Sequence, residues 1–201
     1  MKSIAALVFP GFETLDLFGP IEMFGMLPEE FDIKIVAESM DPVSSRPGQR
    51  ILPDHTLAEG TRYDLFLVPG GPGTPIEQVN PQINEWLHGA AQRDSIVMGV
   101  CTGSTLLARA GVLDGRKATT NKMDFRWSVP FGPNVIWAPK ARWVEDGNFF
   151  TSSGVSAGMD MSLAVIGRLL GVDKAREIAA WTEYDWHEDP TWDPFAELYE
   201  L

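Results

Sequence analysis

Four short segments rich in apolar residues constrain the fold of this chain more than any other feature of its sequence. They occupy residues 3–9, 31–37, 64–68 and 95–100. A strand that is buried on both faces has such a run, because neither face meets water. Helical patterns separate the runs, and strands that alternate with helices form a parallel sheet covered on both sides. The sequence therefore predicts one α/β domain over residues 1–201.

The segments between the runs carry the helix signals. Gly19-Pro20 is predicted as the N-cap and first residue of the first helix, because proline has no N–H to donate, and residues 12–18 then form a loop. Asn80-Pro81 is predicted to begin another helix. Further helices are predicted over residues 102–110, 157–170 and 173–184, an irregular hairpin over 46–57, and short strands over 117–120, 135–138, 142–144 and 149–152. These elements predict a flavodoxin-like, doubly wound fold with a mainly parallel sheet and helices on both faces.

The charge and the residue counts exclude several classes of function. Twenty-eight acidic and 16 basic residues give a net charge of −12, which repels nucleic acid and leaves small molecules as the expected ligands. No apolar run approaches the roughly 18 residues of a membrane helix. The first run stops at Pro10 without a cleavage site, so we expect a cytoplasmic protein. One cysteine and three histidines do not match a disulfide framework or a zinc site, and we expect no metal.

The motif Gly99-Val100-Cys101-Thr102-Gly103 is the strongest indication of chemistry. It lies where a strand runs directly into a helix, and this pattern is typical of a nucleophile elbow, a tight turn that raises the reactive side chain above the sheet. Its glycines let the strand and the helix approach closely, and we expect strained backbone angles at Cys101. A thiol at a helix N-terminus ionises more readily, so we expect a reactive thiolate rather than a buried structural cysteine.

Two other strand ends are expected at the same edge as the cysteine, because ligands of open parallel sheets bind outside the carboxyl ends of the strands. Asp16, after the first strand, is our first choice of acid: apolar neighbours should raise its pKa, so that it can exchange protons with the thiol. Glu13 is the alternative acid. Gly70 and Gly71, after the third strand, are expected to form an anion-stabilising hole with the backbone N–H of Thr102.

The three histidines are weaker candidates for chemistry. His55 falls in the predicted hairpin, His88 lies on a predicted helix, and His187 is directly followed by a glutamate. We expect surface or structural positions for all three. The pocket is then without a Cys–His–Glu triad, which argues against amide hydrolysis, because the leaving amine needs a proton donor.

The last residues, 185–201, differ in composition from the rest of the chain. Acidic side chains alternate there with tryptophans and prolines. Two interpretations stay open for this tail. It is either an irregular segment on the surface, or a lid or dimer contact that supplies aromatic side chains to a pocket.

Together these motifs resemble the ThiJ/PfpI superfamily over nearly the whole chain, to about residue 184. The matching segments are Leu15-Asp16-Leu17-x-Gly19-Pro20, Val68-Pro69-Gly70-Gly71, Val100-Cys101-Thr102-Gly103-Ser104, Ala118-Thr119-Thr120 and Thr151-x-x-Gly154-x-x-Ala157-Gly158-x-Asp160. Within the superfamily, the combination is most similar to isonitrile hydratases and to the ligand domains of certain AraC-type regulators. Asn121-Lys122 departs from the hydratase pattern, which has histidine and tryptophan there.

The resemblance implies hydration of an isonitrile, an electrophilic small molecule, to an N-substituted formamide, without a cofactor and in a homodimer. It implies that the Cys101 thiolate attacks the isonitrile carbon to give a covalent thioimidate. A protonated Asp16 would supply the proton on carbon and then help to activate water, while the N–H groups of Gly71 and Thr102 stabilise the developing charge. Two alternatives stay open: a redox- or electrophile-sensing binding module in which Cys101 is oxidised, and a glyoxalase-like activity.

Overall fold

The structure is a computed structural model in which residues 1–91 and 94–201 are described. Its strands are β1 (Lys2–Leu7), β2 (Phe31–Ala37), β3 (Val43–Ser44), β4 (Arg50–Ile51), β5 (His55–Thr56), β6 (Leu65–Val68), β7 (Ile96–Val100), β8 (Lys117–Ala118), β9 (Ile136–Trp137), β10 (Trp143–Asp146) and β11 (Phe149–Ser152). Its helices are α1 (Thr14–Gly25), α2 (Thr74–Glu77), α3 (Pro81–Ala91), α4 (Gly103–Arg109), α5 (Phe125–Ser128), α6 (Ala157–Leu170), α7 (Val172–Trp181) and α8 (Pro194–Leu198). None of the described helices is long and apolar enough to span a membrane.

Within the described residues, seven strands form the central sheet, in the order β10-β11-β7-β6-β1-β2-β5. Neighbouring strands are parallel except for the antiparallel pair β10 and β11. From β1 the chain first builds outward to β2 and then returns to the other side of β1 at β6, so the strand order reverses beside β1. The predicted doubly wound α/β fold is confirmed, and such a reversal opens a crevice at the carboxyl ends of the strands.

Two of the predicted segments differ from the structure. Residues 46–57 do not form one hairpin: β4 pairs with β3, whereas β5 joins the edge of the main sheet parallel to β2. The strand predicted over residues 117–120 ends at Ala118. It ends there because the backbone N–H of Thr119 donates to the Thr151 hydroxyl at 2.9 Å instead of continuing the ladder.

The first helix begins earlier than predicted. α1 begins at Thr14 and contains Pro20, so the prediction that residues 12–18 form a loop is wrong. A proline inside a helix removes the hydrogen bond to the carbonyl four residues earlier. Tertiary packing offsets that loss, because the proline ring lies against α6, where a Cβ added to Gly158 would be 3.3 Å from it.

The predicted elbow is confirmed between β7 and α4. Cys101 has φ +56°, in the left-handed region that residues with a side chain rarely adopt. The flanking glycines are required sterically: a Cβ on Gly103 would lie 2.1 Å from the Val68 carbonyl oxygen, and a Cβ on Gly99 would lie 2.8 Å from Leu107. The close approach of β6, β7 and α4 therefore depends on these two positions having no side chain.

We predict that Gly103→Ala destabilises the fold by about 3 kcal/mol, because backbone atoms of β6 must move to admit one methyl group. Gly89→Ala is the matched control, since nothing lies within 4 Å of a Cβ added at this position in α3. That change should leave stability unaltered or raise it by up to about 1 kcal/mol. Urea unfolding of the two variants measures both values, and equal effects would contradict the steric account of the elbow.

Candidate active site

The Cys101 side chain lies at the turn between β7 and α4, at the base of a cavity of about 410 Å³. This thiol cavity is also lined by Glu13, Gly71, Thr102 and Asn121, among others. Only 5% of Cys101 is exposed to solvent. A small molecule that contacts the sulfur therefore does so in a site from which most water is excluded.

Three N–H groups from different segments point at the sulfur. The side-chain amide of Asn121 donates to Cys101 Sγ at 3.0 Å, and the backbone N–H groups of Thr102 and Val155 donate to it as well. Asn121 Oδ1 accepts the backbone N–H of Asp124 at 3.1 Å, which fixes the orientation of the amide. The sulfur thus has a polar environment that favours negative charge on it once its proton has left.

Asp16 lies in the first turn of α1 and is completely buried. One carboxyl oxygen, Oδ2, accepts the backbone N–H of Gly70 at 2.9 Å, whereas Oδ1 has no hydrogen-bond partner among the described residues. Burial, together with a smaller contribution from the charge of Glu13, raises the pKa of Asp16 to about 7 against the lowering effects of the hydrogen bonds from Gly70 and Cys101. This carboxyl group exchanges its proton near neutral pH.

The thiol of Cys101 is protonated in the resting protein. Burial raises its pKa, and the nearby charge of Asp16 adds to the rise, while the hydrogen bonds to the sulfur only partly oppose it. The expectation of a resting thiolate is therefore not met. α4 has only seven residues, and its dipole at the elbow is outweighed by the loss of water around the sulfur.

Asp16 and Cys101 form one titrating pair, because each shifts the pKa of the other. Below about pH 7 both groups hold a proton, and above it the pair holds one proton, which lies on the thiol. The singly protonated pair can deliver both a nucleophile and a proton to the same bound molecule. Asp16 is therefore coupled to the thiol as expected, but above about pH 7 the two groups hold only one proton between them.

The glycines expected to form an anion hole have other hydrogen-bond partners in this structure. Gly70 N–H holds Asp16, and Gly71 N–H donates to the Thr102 hydroxyl at 3.0 Å. These two N–H groups therefore hold the Asp16 carboxyl group and the Thr102 side chain in position. The N–H groups beside the sulfur come instead from Thr102, Val155 and Asn121.

Glu13, the alternative acid, lines the thiol cavity but is held by an ion pair. Arg46 Nη1 lies 3.0 Å from Glu13 Oε2, and the Glu13 side chain is 17% exposed. Between the two candidate acids, the buried Asp16 is the one that is coupled to the sulfur.

No histidine appears among the described residues that line the thiol cavity. His55 pairs with Glu59 at 2.8 Å, and His187 donates its backbone N–H to Asp160, away from the sulfur. His88 lies on α3. These placements agree with the structural positions expected from the sequence.

Sequence reasoning missed two residues that touch the sulfur. Asn121 was noted only as a departure from the hydratase pattern, although a polar residue directly after Thr119-Thr120 could have been placed at the site from that position. The role of Val155 could not be predicted from the sequence. Its backbone has φ +43°, a conformation that β-branched residues rarely adopt.

We predict that Asp16→Asn stabilises the protein at pH 8 but not at pH 4. The folded-state pKa of about 7 lies above the unfolded value of 3.8, so wild-type stability is full below pH 3.8 and falls as the pH rises toward 7. The loss is on the order of a few kcal/mol, and the amide, which can still accept the Gly70 N–H, avoids it. Urea unfolding at both pH values measures the difference between the two proteins, and a difference independent of pH would show that Asp16 is not a buried acid.

Comparison with known proteins agrees with the fold. A family model, the DJ-1/PfpI family, matches residues 2–168. The isonitrile hydratase of Pseudomonas putida is 34% identical over 183 residues, which cover 90% of this chain and 78% of the relative. The crystal structure of a THiJ/PfpI family protein from Pseudomonas syringae superposes with a TM-score of 0.84 at 34% identity, covering 96% of this chain and 78% of that one.

A transcriptional regulator is also similar to this chain. The HTH-type transcriptional regulator CdhR of Pseudomonas aeruginosa is 27% identical over 180 residues, which cover 86% of this chain but only 52% of the regulator. Similar domains thus occur both in an enzyme and in a regulator. The family model and the two relatives at 34% identity confirm the resemblance drawn from the motifs, and the chain belongs to the DJ-1/PfpI family.

Proposed function

We propose that this protein is a cysteine-dependent hydratase that converts an isonitrile to an N-substituted formamide. The observation that carries the proposal is a buried thiol coupled to a buried carboxyl group with one unpartnered oxygen. An isonitrile carbon has no leaving group and must gain both a nucleophile and a proton. The pair of Cys101 and Asp16 can supply one nucleophile, the sulfur, and one proton.

The first step forms a bond between Cys101 Sγ and the isonitrile carbon. Asp16 Oδ1 takes the thiol proton as the sulfur attacks, and the same oxygen then gives that proton to the carbon. The product is a covalent thioimidate, in which carbon carries sulfur, hydrogen and a double bond to nitrogen. Asp16 returns to its carboxylate form, so the pair's single proton has moved to the substrate.

The second step adds water to the thioimidate carbon. The Asp16 carboxylate accepts a proton from the attacking water and passes it to the substrate nitrogen, which gives a tetrahedral adduct with one hydroxyl group. The C–S bond then breaks, a C=O bond forms, and the hydroxyl proton returns to Cys101 through Asp16. One isonitrile and one water are consumed, one formamide leaves, and the pair regains its starting proton.

The donors around the sulfur stabilise the charge that develops during these steps. Thr102, Val155 and Asn121 donate to Sγ in the resting site, so they are already oriented when the thiol proton departs. Asn121 cannot titrate, and proton transfer is therefore left to Asp16 alone. The 34% identity to the Pseudomonas putida isonitrile hydratase supports this assignment over the regulator, which is 27% identical.

The homodimer implied by the family resemblance is part of the proposal. Leu15 and Phe18 are apolar residues of α1 that are 39% and 38% exposed, close in sequence to Asp16. Apolar side chains of this kind are suited to a contact with a second copy.

We predict that the purified protein turns over an alkyl isonitrile, with the formamide followed by NMR. Cys101→Ala should abolish turnover, because no nucleophile remains. Asp16→Asn should lower kcat at least 100-fold, because the amide cannot carry the proton to carbon. Glu13→Gln should lower it less than tenfold, since Glu13 is paired with Arg46 and is not coupled to the sulfur.

If the protein turned over none of several isonitriles, the proposal would be wrong. If Asp16→Asn kept full activity, another residue would have to be the acid. Two parallel assays address the alternatives. Consumption of methylglyoxal would reveal a glyoxalase-like activity. Conversion of Cys101 to its sulfinic acid by mild peroxide, detected by mass spectrometry, would favour a sensor, a function for which the protonated thiol is poorly suited.

A further inference from the structure

The C-terminal tail forms one wall of a second cavity. This tail cavity has a volume of about 280 Å³ and includes Phe195 and Tyr199 from the tail and Met123, Val155 and Asn121 from the body. Its volume is several times the ~30 Å³ that one water molecule occupies in the liquid. Of the two interpretations of the tail, the structure agrees with the one in which aromatic side chains reach a pocket.

The tail cavity lies next to the thiol cavity. Asn121, Met123 and Val155 line both of them. Asn121 and Val155 also donate hydrogen bonds to Cys101 Sγ. A molecule whose reacting carbon lies at the sulfur can therefore extend its other end into the tail cavity.

The tail is held in place by buried polar groups. Asp160, with no exposure to solvent, accepts the Tyr184 hydroxyl and the His187 backbone N–H, both at 2.9 Å, and also binds the side chain of Arg142. Farther along, the backbone N–H of Asp193 donates to the Lys140 carbonyl at 2.8 Å. The wall that carries Phe195 is thus part of the folded body, and the cavity exists before any ligand binds.

The lining of the tail cavity offers no free charge among the described residues. Its one basic residue, Lys122, directs the ammonium group inward to the Thr119 hydroxyl at 2.7 Å and to the carbonyls of Ala141 at 2.6 Å and Thr120 at 3.5 Å. These three acceptors use all three of its protons. No carboxylate lines the cavity within the described part of the chain. The cavity therefore suits a neutral, apolar group.

We propose that the tail cavity binds the apolar substituent on the nitrogen of the substrate, so that the tail selects isonitriles with bulky alkyl or aryl groups. This inference rests on the proposed function for the reacting group. The substituent fills the space between Phe195, Tyr199 and Met123, and its burial holds the isonitrile carbon at Cys101. A small substituent such as methyl leaves that space empty and gains nothing from the tail.

Kinetics with cyclohexyl isonitrile and methyl isonitrile test the proposal. Phe195→Ala and Tyr199→Ala should each raise KM for the cyclohexyl substrate about tenfold and change kcat/KM for the methyl substrate less than twofold. Phe195→Trp, which adds bulk to the cavity wall, should likewise penalise only the cyclohexyl substrate. Leu198→Ala is the matched control, because Leu198 lies on the same helix, is 67% exposed and does not line the cavity. Equal losses for both substrates, or no change in either, would overturn the proposal.

A binding measurement separates this proposal from the proposed function. The formamide products, N-cyclohexylformamide and N-methylformamide, are titrated into wild type, Phe195→Ala and Leu198→Ala and followed by NMR. If the wild type turns over no isonitrile, the proposed function fails, and the tail cavity is then judged from this titration alone. A roughly tenfold weaker affinity of Phe195→Ala for the cyclohexyl compound, with Leu198→Ala unchanged, upholds it. Equal affinity of all three proteins for that compound overturns it.

Discussion

The burial of two acidic groups, Asp16 and Cys101, in one small volume is the constraint on which the rest of this site depends. Each group alone would ionise near its ordinary pKa in water. Placed together out of water, both retain protons at a higher pH, because neither charge is well solvated and the charge of Asp16 further opposes ionisation of the thiol. The same burial destabilises the folded protein at neutral pH, where Asp16 is ionised. The proposed proton transfer needs this burial, so the site is less stable than it would be without its function.

The topology of the sheet brings these groups together. Asp16 follows β1, Gly70 follows β6 and Cys101 follows β7, three neighbouring strands that end at one edge. Gly70 shows how tight the arrangement is: a Cβ there would lie 2.4 Å from the Thr102 hydroxyl oxygen. Its amide, placed that close, fixes Oδ2 of Asp16 and leaves Oδ1 as the oxygen that exchanges the proton. Backbone geometry thus decides which carboxyl oxygen takes part in the proposed mechanism.

The parts of this protein that were predictable from sequence are those encoded locally. Buried strands show as apolar runs, and an elbow shows as two glycines around a nucleophile, since both requirements act on neighbouring residues. The start of α1 was not predictable, because Pro20 is tolerated inside a helix only through its packing against α6. The protonation state of Cys101 was missed for a similar reason. The pKa of the thiol depends on how completely segments distant in sequence exclude water from it. The sequence shows only that the cysteine lies at the end of a helix.

The other residues that sequence reasoning did not place lie outside the central sheet. Asn121 reaches the sulfur from a segment without regular structure, and Phe195 and Tyr199 reach the neighbouring cavity from a tail anchored by Asp160. Contacts of this kind depend on long-range hydrogen bonds that leave no periodic pattern in the chain. They are also where members of one family can differ in ligand while they keep the same sheet and elbow.

The most direct measurement of the central claim is a ¹³C NMR titration of the Asp16 carboxyl carbon in wild type and in Cys101→Ala. The account predicts a midpoint of about 7 in the wild type and a higher midpoint in the variant, because the thiol lowers the pKa of the carboxyl group. A wild-type midpoint near the ordinary aspartate value of 3.8, or one that does not move when the sulfur is removed, would contradict it.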